Sequence, residues 1–413
     1  MKTMTKHALG VSLATGLALG AAPAMATTGY FSNGTSVQSK GMAGSGVSIG
    51  TGVMGMAANP AFGTKYTNQA DACLSAFMPS RSTTITGMGT FKSNNEFFPV
   101  PCGGANFLLG NGAALGVLMY GNGGMNTEYN TNFFGGGVVP GPLGVNLEQL
   151  FIQVNYATEV SDGVSLGIAP IFAAQRFSAT GLAGFAAFSS NPAALTNNGD
   201  DWSTGFGGQI GALIEAGPNL TFGVSYRTKI KMDPFSSYSG LFADGGDFDI
   251  PATAALGVTF SPASNKSLRI SAEWQRIFYS GVSAISNPFP TAAPLGAAGG
   301  PGFGWDDMDV FRLGAEYDMN PKWTIRGGLS YNTEFTNGSQ ATLNALAPAT
   351  PQWHASIGGT LHINDRRELH VSYTHAFDND ISGVLPSPPF PGAAPISSQM
   401  SQHELSVGMT WKW

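Results

Sequence analysis

Residues 405–413, at the end of the chain, read Leu-Ser-Val-Gly-Met-Thr-Trp-Lys-Trp. The odd-numbered residues are large and apolar, whereas the even-numbered residues are small or polar. Because successive side chains of a β-strand point to opposite faces, the pattern predicts a strand with one apolar and one polar face. A transmembrane β-barrel needs such strands, since one face meets lipid and the other meets the lumen.

The same alternation recurs along the chain, at residues 220–232 and 311–319 among others. Segments of this kind, separated by turn signals, number about fourteen, and an even number is typical of bacterial outer-membrane barrels. Short turns alternate with long loops rich in Gly, Pro and Ser, which predicts periplasmic turns and external loops. An even number of strands places both chain termini in the periplasm. The predicted strands begin near Leu74, Phe97, Ala113, Asn146, Gly163, Ser203, Asn219, Asp249, Lys266, Asp307, Lys322, Thr350, Arg367 and Ser401.

Composition supports a barrel and disfavours most other classes of protein. The 413 residues include 57 glycines, and only 11% are charged, against about 25% in typical soluble domains. The hydrophobic fraction of 43% is too high for a disordered chain. The net charge of −6, without a cluster of basic residues, excludes nucleic acid as a partner. No apolar stretch after the N-terminus is long enough for a membrane-spanning helix.

The N-terminus has the features of a secretory signal peptide. Lys2 and Lys6 precede an apolar stretch, and Ala24-Met25-Ala26 forms an A-x-A cleavage site. We therefore predict a signal peptide at residues 1–26 and export to the bacterial outer membrane.

The segment between the signal peptide and the first strand is too long for a simple lead-in. Residues 27–71 carry many small residues, and residues 41–62 are uncharged. A barrel of about fourteen strands is wide enough to leak unless something fills it. We expect residues 27–71 to form a plug inside a barrel of residues 72–413; the alternative is a loose periplasmic tail.

The sequence predicts neither a catalytic nor a metal site, and no cofactor. Gly46, Ser48 and Gly50 match the G-x-S-x-G pattern of hydrolases, but no strand precedes them and no helix follows, so we interpret the match as chance. Two cysteines, Cys73 and Cys102, are too few for a zinc site. They lie in adjacent predicted strands and are either a disulfide or two free thiols.

Several motifs, in this order, resemble the FadL-type outer-membrane transporters of long-chain fatty acids and other hydrophobic compounds. The resemblance covers nearly the whole chain after the signal peptide. The motifs are residues 29–31 (Gly-Tyr-Phe), 40–46 (Lys-Gly-Met-Ala-Gly-Ser-Gly), 59–61 (Asn-Pro-Ala), 226–233 (Tyr-Arg-Thr-Lys-Ile-Lys-Met-Asp), 311–317 (Phe-Arg-Leu-Gly-Ala-Glu-Tyr) and 323–328 (Trp-Thr-Ile-Arg-Gly-Gly).

The resemblance implies a fourteen-stranded barrel, an N-terminal hatch inside it and a kink in the third strand that opens the wall sideways. Asn59, Pro60 and Ala61 would belong to the hatch. The opening would lie at Gly121, Asn122, Gly123 and Gly124, because closely spaced glycines weaken strand pairing and permit a bulge. An ordinary glycine-rich strand end is the alternative. Transport would be passive, since the chain has no nucleotide-binding loop.

External loops would capture the cargo on exposed apolar side chains, according to the same resemblance. The alternative is that these loops pack on each other or contact lipopolysaccharide. The predicted ligand-binding residues are Arg176, Leu182, Phe185, Phe188, Phe235, Leu241 and Phe242.

The identity of the cargo is left open between fatty acids and neutral or aromatic hydrocarbons. Arg176 resembles a family arginine that can bind a carboxylate, although strict alternation places it on the lipid side unless Pro170 breaks the pattern. Residues 303–307 read Phe-Gly-Trp-Asp-Asp where the family has a lysine, which does not suit a carboxylate. Arg227, Lys229 and Lys231 are reserve candidates.

The predicted partners are hydrophobic small molecules, outer-membrane lipid and lipopolysaccharide, with the protein as a monomer. Two other functions stay open: a general porin for polar solutes, and a structural or adhesive barrel.

Overall fold

The computed structural model describes residues 28–135, 139–386 and 393–413. The predicted signal peptide and its cleavage site lie outside the described residues. Within these three ranges, no helix is both long and apolar enough to cross a bilayer.

Fourteen antiparallel strands form the wall of a β-barrel, as the alternation predicts. Two further short strands, Gly89–Lys92 and Lys231–Met232, extend the sheet at its loop end. The wall strands are β1 (Gln69–Ile85), β2 (Phe98–Gly110), β3 (Ala113–Asn132), β4 (Val139–Ser161), β5 (Val164–Thr180), β6 (Asp201–Glu215), β7 (Leu220–Arg227), β8 (Thr253–Phe260), β9 (Leu268–Ile277), β10 (Met308–Asn320), β11 (Trp323–Asn332), β12 (Trp353–Asn364), β13 (Arg367–Leu385) and β14 (Ala394–Lys412).

The barrel closes where β14 pairs with β1. Their ladder runs from Gln69 opposite Lys412 to Ile85 opposite Ile396, so the first and last strands of the wall share one end. The short turns, such as residues 111–112 between β2 and β3, lie at this same end. Closure pairs the backbone groups of the wall between strands, which is the condition for crossing a membrane as a sheet.

The two faces of the wall follow the predicted alternation closely. In β14, Leu405 and Val407 are exposed, as is Trp413 directly after it, whereas Ser406 and Thr410 are buried toward the lumen. One prediction was wrong: residues 228–232 do not continue the outward apolar face of β7. That strand ends at Arg227, and Ile230 and Met232 turn inward beneath the external loops, where both are buried.

Three strands begin earlier than the alternation predicts. β4 begins at Val139 and β14 at Ala394, where Gly, Pro and Ser interrupt the apolar pattern. β1 begins at Gln69, inside the segment that the sequence assigns to the plug. Because these strand ends lie outside the band that meets lipid, they need no apolar outward face, and alternation cannot reveal them.

The segment before β1 packs inside the barrel. It contains one short α-helix, α1 (Val37–Lys40), and the 3-10 helices Val53–Ala57 and Pro60–Lys65. Most of its side chains are buried, including Tyr30, Met42, Val53 and Met56. We call residues 28–68 the hatch.

One buried ion pair and one buried wall carboxylate join the hatch to the lumen face of the wall. The Lys40 ammonium contacts the Glu404 carboxylate and donates to the Ser75 hydroxyl at 2.8 Å. On β9, Glu273 pairs with Arg312 of β10 at 2.9 Å, and its second oxygen accepts hydrogen bonds from the hatch backbone at residues 46 and 47. These contacts fix the position of the hatch, because a displaced hatch would leave Glu404 buried without its cation and one oxygen of Glu273 without its hydrogen bonds.

Asn59 fastens the other end of the hatch. Its carboxamide donates to the carbonyl oxygens of Val47 and of Ala212 in β6, at 2.9 and 3.0 Å, and caps the following 3-10 helix. The wall carries glycine where the hatch approaches it: a Cβ at Gly211 would lie 2.1 Å from the Asn59 oxygen, and one at Gly167 would lie 2.4 Å from the Ala61 nitrogen. Glycines on the lumen face therefore let the hatch lie flush against the sheet.

The described external loops fold over the open end of the barrel and contain short helices. These are the 3-10 helices Ala183–Phe188, Pro192–Ala194, Ser236–Tyr238, Tyr279–Gly281 and Gly338–Gln340, and the α-helical turns α2 (Ala243–Gly246), α3 (Ser283–Ser286) and α4 (Ala341–Asn344).

Replacing Lys40 with methionine should destabilise the barrel strongly. The substitution leaves Glu404 buried without its cation, a loss of about 3–5 kcal/mol in the free energy of unfolding. Lys65→Met is the matched control, because the Lys65–Glu215 pair is partly exposed and contributes about 0–1 kcal/mol. Urea unfolding of the refolded protein in lipid bilayers measures both variants. Equal effects of the two substitutions would contradict the conclusion that the buried Lys40–Glu404 pair holds the hatch against the wall.

Candidate functional site: a window in the wall

The wall has a window where β2 and β3 separate. Their ladder starts at the turn and ends with Cys102 opposite Tyr120. Beyond this pair, residues 98–101 remain paired with β1 alone in the described part of the chain. Pro99 and Pro101 lie in this stretch and have no N–H to offer a neighbour on either side. We call the gap between residues 98–101 and 121–127 the window.

The window is closed again at its loop end. The Asn94 amide donates to the Glu128 carbonyl oxygen at 2.7 Å, and the Glu128 amide donates to the Ser93 hydroxyl at 3.0 Å. Arg81 of β1 lies behind this junction and donates to the backbone carbonyls of Asn95 and Asn126. The window is therefore a bounded opening in the wall.

A bulge in β3 produces the separation. The β3–β4 register shifts between Gly121 and Gly123, which leaves Asn122 as the extra residue. Residues 122–127 are buried without alternation, so this part of β3 is covered on both faces. The loop between β11 and β12 holds it there: the hydroxyls of Thr127 and Tyr129 donate to the carbonyl oxygens of Leu346 and Ala345 at 2.6 and 2.8 Å. The four residues of the predicted opening thus lie at the window.

The start of the hatch lies directly behind the window. The Ser32 amide donates to the Asn122 carbonyl at 3.0 Å, and the Gly124 amide donates to the Tyr30 carbonyl at 2.9 Å. This short antiparallel pairing replaces part of the ladder that β3 does not make with β2. Gly123 is required for it, since a Cβ there would lie 1.8 Å from the Tyr30 carbonyl oxygen.

Cys73 and Cys102 form a disulfide, which the sequence left undecided. The two residues are direct partners in the β1–β2 ladder. Because Cys102 is also the last β2 residue paired with β3, the disulfide lies at the base of the window.

Arg227 lies at the inner side of the window. It donates to the Asn122 side-chain oxygen at 2.8 Å, and its guanidinium lies 4.9 and 5.1 Å from the ring centroids of Phe31 and Phe151. Among the described residues it has no carboxylate partner within ion-pair distance. It lines a partly polar cavity of about 90 Å³ between hatch and wall. Two aromatic faces stabilise such a desolvated cation.

Aromatic side chains continue from the hatch toward the external loops. The Tyr279 hydroxyl donates to the Thr28 carbonyl at 2.7 Å and accepts from the Tyr30 amide at 3.2 Å. Trp305 packs against both tyrosines, with ring centroids 6.1 Å from Tyr30 and 5.2 Å from Tyr279. Burial raises the pKa of both tyrosine hydroxyls far above the ordinary value, so they remain neutral.

The predicted capture residues of the loops are buried, which corrects the expectation that they expose apolar surface. Leu182, Phe185, Phe235, Leu241 and Phe242 are each less than 10% exposed, and Phe188 alone among the six is exposed, at 40%. They pack on one another and on β5, because several long loops with aromatic side chains can bury them together. Ring contacts run from Phe235 and Phe242 through Phe248 to Tyr30.

Arg176 faces outward, as strict alternation along β5 requires. Pro170 does not break the alternation; it is exposed on the same face. Arg176 pairs with Glu148 at 2.6 Å and with Asp200 at 3.2 Å, and stacks over Trp202. The expectation that Arg176 points into an internal pocket is therefore wrong.

Residues 303–307 contribute aromatic rings and no cation to the interior. Phe303 and Trp305 are buried, and the Trp305 indole donates to Asn344 at 2.6 Å. Asp307 instead pairs with Arg276 at 3.4 Å.

Ser48, the serine of the G-x-S-x-G match, contacts the hydroxyls of Thr259 and Ser271 at 2.8 and 3.4 Å, in a hydroxyl cluster at the wall.

Two arginines of the site, Arg227 and Arg81, have only weak signals in the sequence. Arg227 was a reserve candidate, although its position at the end of an alternating strand placed it on the lumen face. Arg81 was missed, and its odd number in β1, in phase with buried Phe77 and Thr83, was the available signal.

Comparisons with known proteins agree with this architecture. The long-chain fatty acid transport protein of Salmonella typhi is 26% identical over 294 residues, which cover 63% of this chain and 66% of that protein. The toluene transporter TodX of Pseudomonas putida superposes with a TM-score of 0.71 at 16% identity, covering 92% of this chain and 99% of that one. A FadL homologue of Pseudomonas aeruginosa gives a TM-score of 0.70 at 16% identity, covering 93% and 99%.

A family model described as "Outer membrane protein transport protein (OMPP1/FadL/TodX)" matches residues 17–383, well over half of the chain. The chain therefore belongs to the OMPP1/FadL/TodX family of outer-membrane transport proteins, which are not enzymes.

Proposed function

We propose that this protein carries hydrophobic compounds passively across the outer membrane, from the external loops through the lumen and sideways out of the window. The window supports the proposal most directly, because it is a gap in the wall with the hatch behind it. Residues 28–68 would act as the plug, the strands from Gln69 onward as the channel wall and residues 1–26 as the cleaved export signal.

A sideways route suits apolar cargo on energetic grounds. Each CH₂ group kept out of water contributes about 0.8 kcal/mol, so a long acyl chain forced through the periplasm would lose on the order of 10 kcal/mol. Leaving through the wall into the bilayer avoids this loss. The hatch, fixed by Lys40, Glu273 and Asn59, would block the straight path at the same time.

The aromatic cluster above the window supports aromatic or other neutral hydrocarbons as cargo. Phe31, Tyr30, Tyr279 and Trp305 would form the internal pocket after a small separation of the loops, with Phe188 at its outer edge. Relatives of similar fold are described as a toluene transporter and a monoaromatic hydrocarbon channel. Fatty acids are the second candidate, because Arg227 offers a cation at the inner side of the window.

A leucine at Gly123 should abolish uptake while leaving a folded barrel. Its side chain would collide with the Tyr30 carbonyl and fill the window. Gly208→Leu is the matched control, since a Cβ there meets only the Ala169 carbonyl oxygen at 3.7 Å. Uptake of radiolabelled toluene or dodecanoic acid by cells with intact lipopolysaccharide measures both variants. Wild-type uptake by Gly123→Leu would contradict the sideways route, and uptake equal to that of cells lacking the gene would favour a structural or adhesive role.

Deletion of residues 28–68 should open a water-filled pore. The intact protein is expected to show small conductance in planar bilayers, because the hatch occupies the lumen. The deleted protein should show a sharp increase, as in wide barrels without a plug. Large conductance of the intact protein would instead indicate a porin for polar solutes.

A further inference from the structure

The outer side of the window carries a small groove that the transport route alone does not explain. Val100, Pro101, Gly121, Leu150, Ala174 and Trp202 line it. The groove is mainly apolar and encloses about 50 Å³, enough for a small head group and too little for a long chain. Its position is where a molecule leaving the window would meet lipid.

Two charged side chains, Glu148 and Arg176, complete the lining of this groove. Glu148 is only 5% exposed. One of its oxygens accepts from Arg176 at 2.6 Å and from Asn146 at 2.9 Å. Its other oxygen, Oε2, is buried and has no hydrogen-bond partner among the described residues, and the same holds for Nε of Arg176.

A buried carboxylate oxygen without a partner is costly, and native proteins satisfy nearly all such atoms. Here the free acceptor and the free donor belong to neighbouring side chains at one groove. A hydroxyl group that donates to Oε2 would satisfy the acceptor, and a neutral carboxyl group would match both atoms.

Charge selects a neutral ligand for this groove. Glu148 repels a carboxylate, and Asp200 next to Arg176 adds a second negative charge. An ionised head group is also expensive to move from the window into hydrocarbon, whereas a neutral one is not. The groove therefore suits the form of an amphiphile that can enter the bilayer.

We propose that Glu148 and Arg176 form an exit site that binds the hydroxyl of a neutral amphiphile, such as an alcohol, a phenol or a protonated carboxylic acid, as it leaves the window. The proposal rests on the sideways route proposed above and adds a site on its membrane side. In this site Oε2 of Glu148 accepts the ligand O–H, and the apolar wall of the groove contacts the adjoining carbons.

The test compares two probes, 4-octylphenol and its methyl ether, 4-octylanisole. A methyl group replaces the hydroxyl hydrogen in the ether, so only the phenol can donate a hydrogen bond. A diazirine-tagged alkylphenol photolabels the full mature protein in nanodiscs, and mass spectrometry maps the adducts. We expect adducts at Val100, Leu150 and Ala174. Octylphenol should compete at about tenfold lower concentration than octylanisole, the effect of one hydrogen bond to a charged group.

Two variants and a control test whether Glu148 and Arg176 cause the preference for octylphenol over octylanisole. Glu148→Gln should reduce it, and the paired replacement Glu148→Leu with Arg176→Met, which leaves no buried charge alone, should bring the two probes within about twofold. Asp200→Asn should keep the preference, because it changes only the second partner of Arg176. Heat-modifiable electrophoretic mobility verifies that each barrel is folded.

Equal competition by the two probes against the wild-type protein would overturn the exit site, as would a preference unchanged in the paired replacement. These outcomes are distinct from failure of the sideways route. The probes report equilibrium binding at the groove, whereas the route is tested by uptake through Gly123→Leu.

Discussion

The window depends on a short backbone pairing between the hatch and the bulged part of β3. Tyr30 and Ser32 exchange hydrogen bonds with Gly124 and Asn122, where an ordinary barrel would pair β3 with β2. Sheet edges in a membrane cannot stay unpaired, because lipid offers no hydrogen bonds. The hatch therefore forms hydrogen bonds with the backbone of β3 where β3 separates from β2. The window can exist because the hatch replaces β2 as the pairing partner there.

The remaining contacts of the hatch keep this pairing in register. Lys40 contacts β14, Glu273 of β9 accepts from the hatch backbone, and Asn59 donates to β6. Each would leave a buried polar group unsatisfied if the hatch shifted as a body. Glycines of the wall let the hatch lie close enough for these bonds, which explains why so many glycines are compatible with a stable barrel.

The strands of the wall could be predicted from the sequence, because lipid requires an apolar side chain at every second residue of a membrane-spanning strand. The sequence predicted less where lipid no longer acts, as at the ends of β4 and β14 and at Ile230 and Met232. The loop residues such as Phe185 and Phe242 were expected to be exposed, since a single loop cannot bury them; only the packing of several loops does. For Arg176, by contrast, the alternation along β5 correctly predicted an outward-facing side chain.

In the proposed transport route, cargo leaves through the window. Its most direct test is a photo-crosslinking amino acid placed at Pro101, at the edge of the window, or at Ile357, on the exposed outer face of β12. Cells taking up a labelled hydrophobic compound are irradiated, and adducts to the barrel are quantified. The sideways route predicts clearly more adducts at Pro101 than at Ile357, which cargo reaches only after it has spread through the bilayer. Equal adducts at the two positions, or none at Pro101 during active uptake, would contradict it.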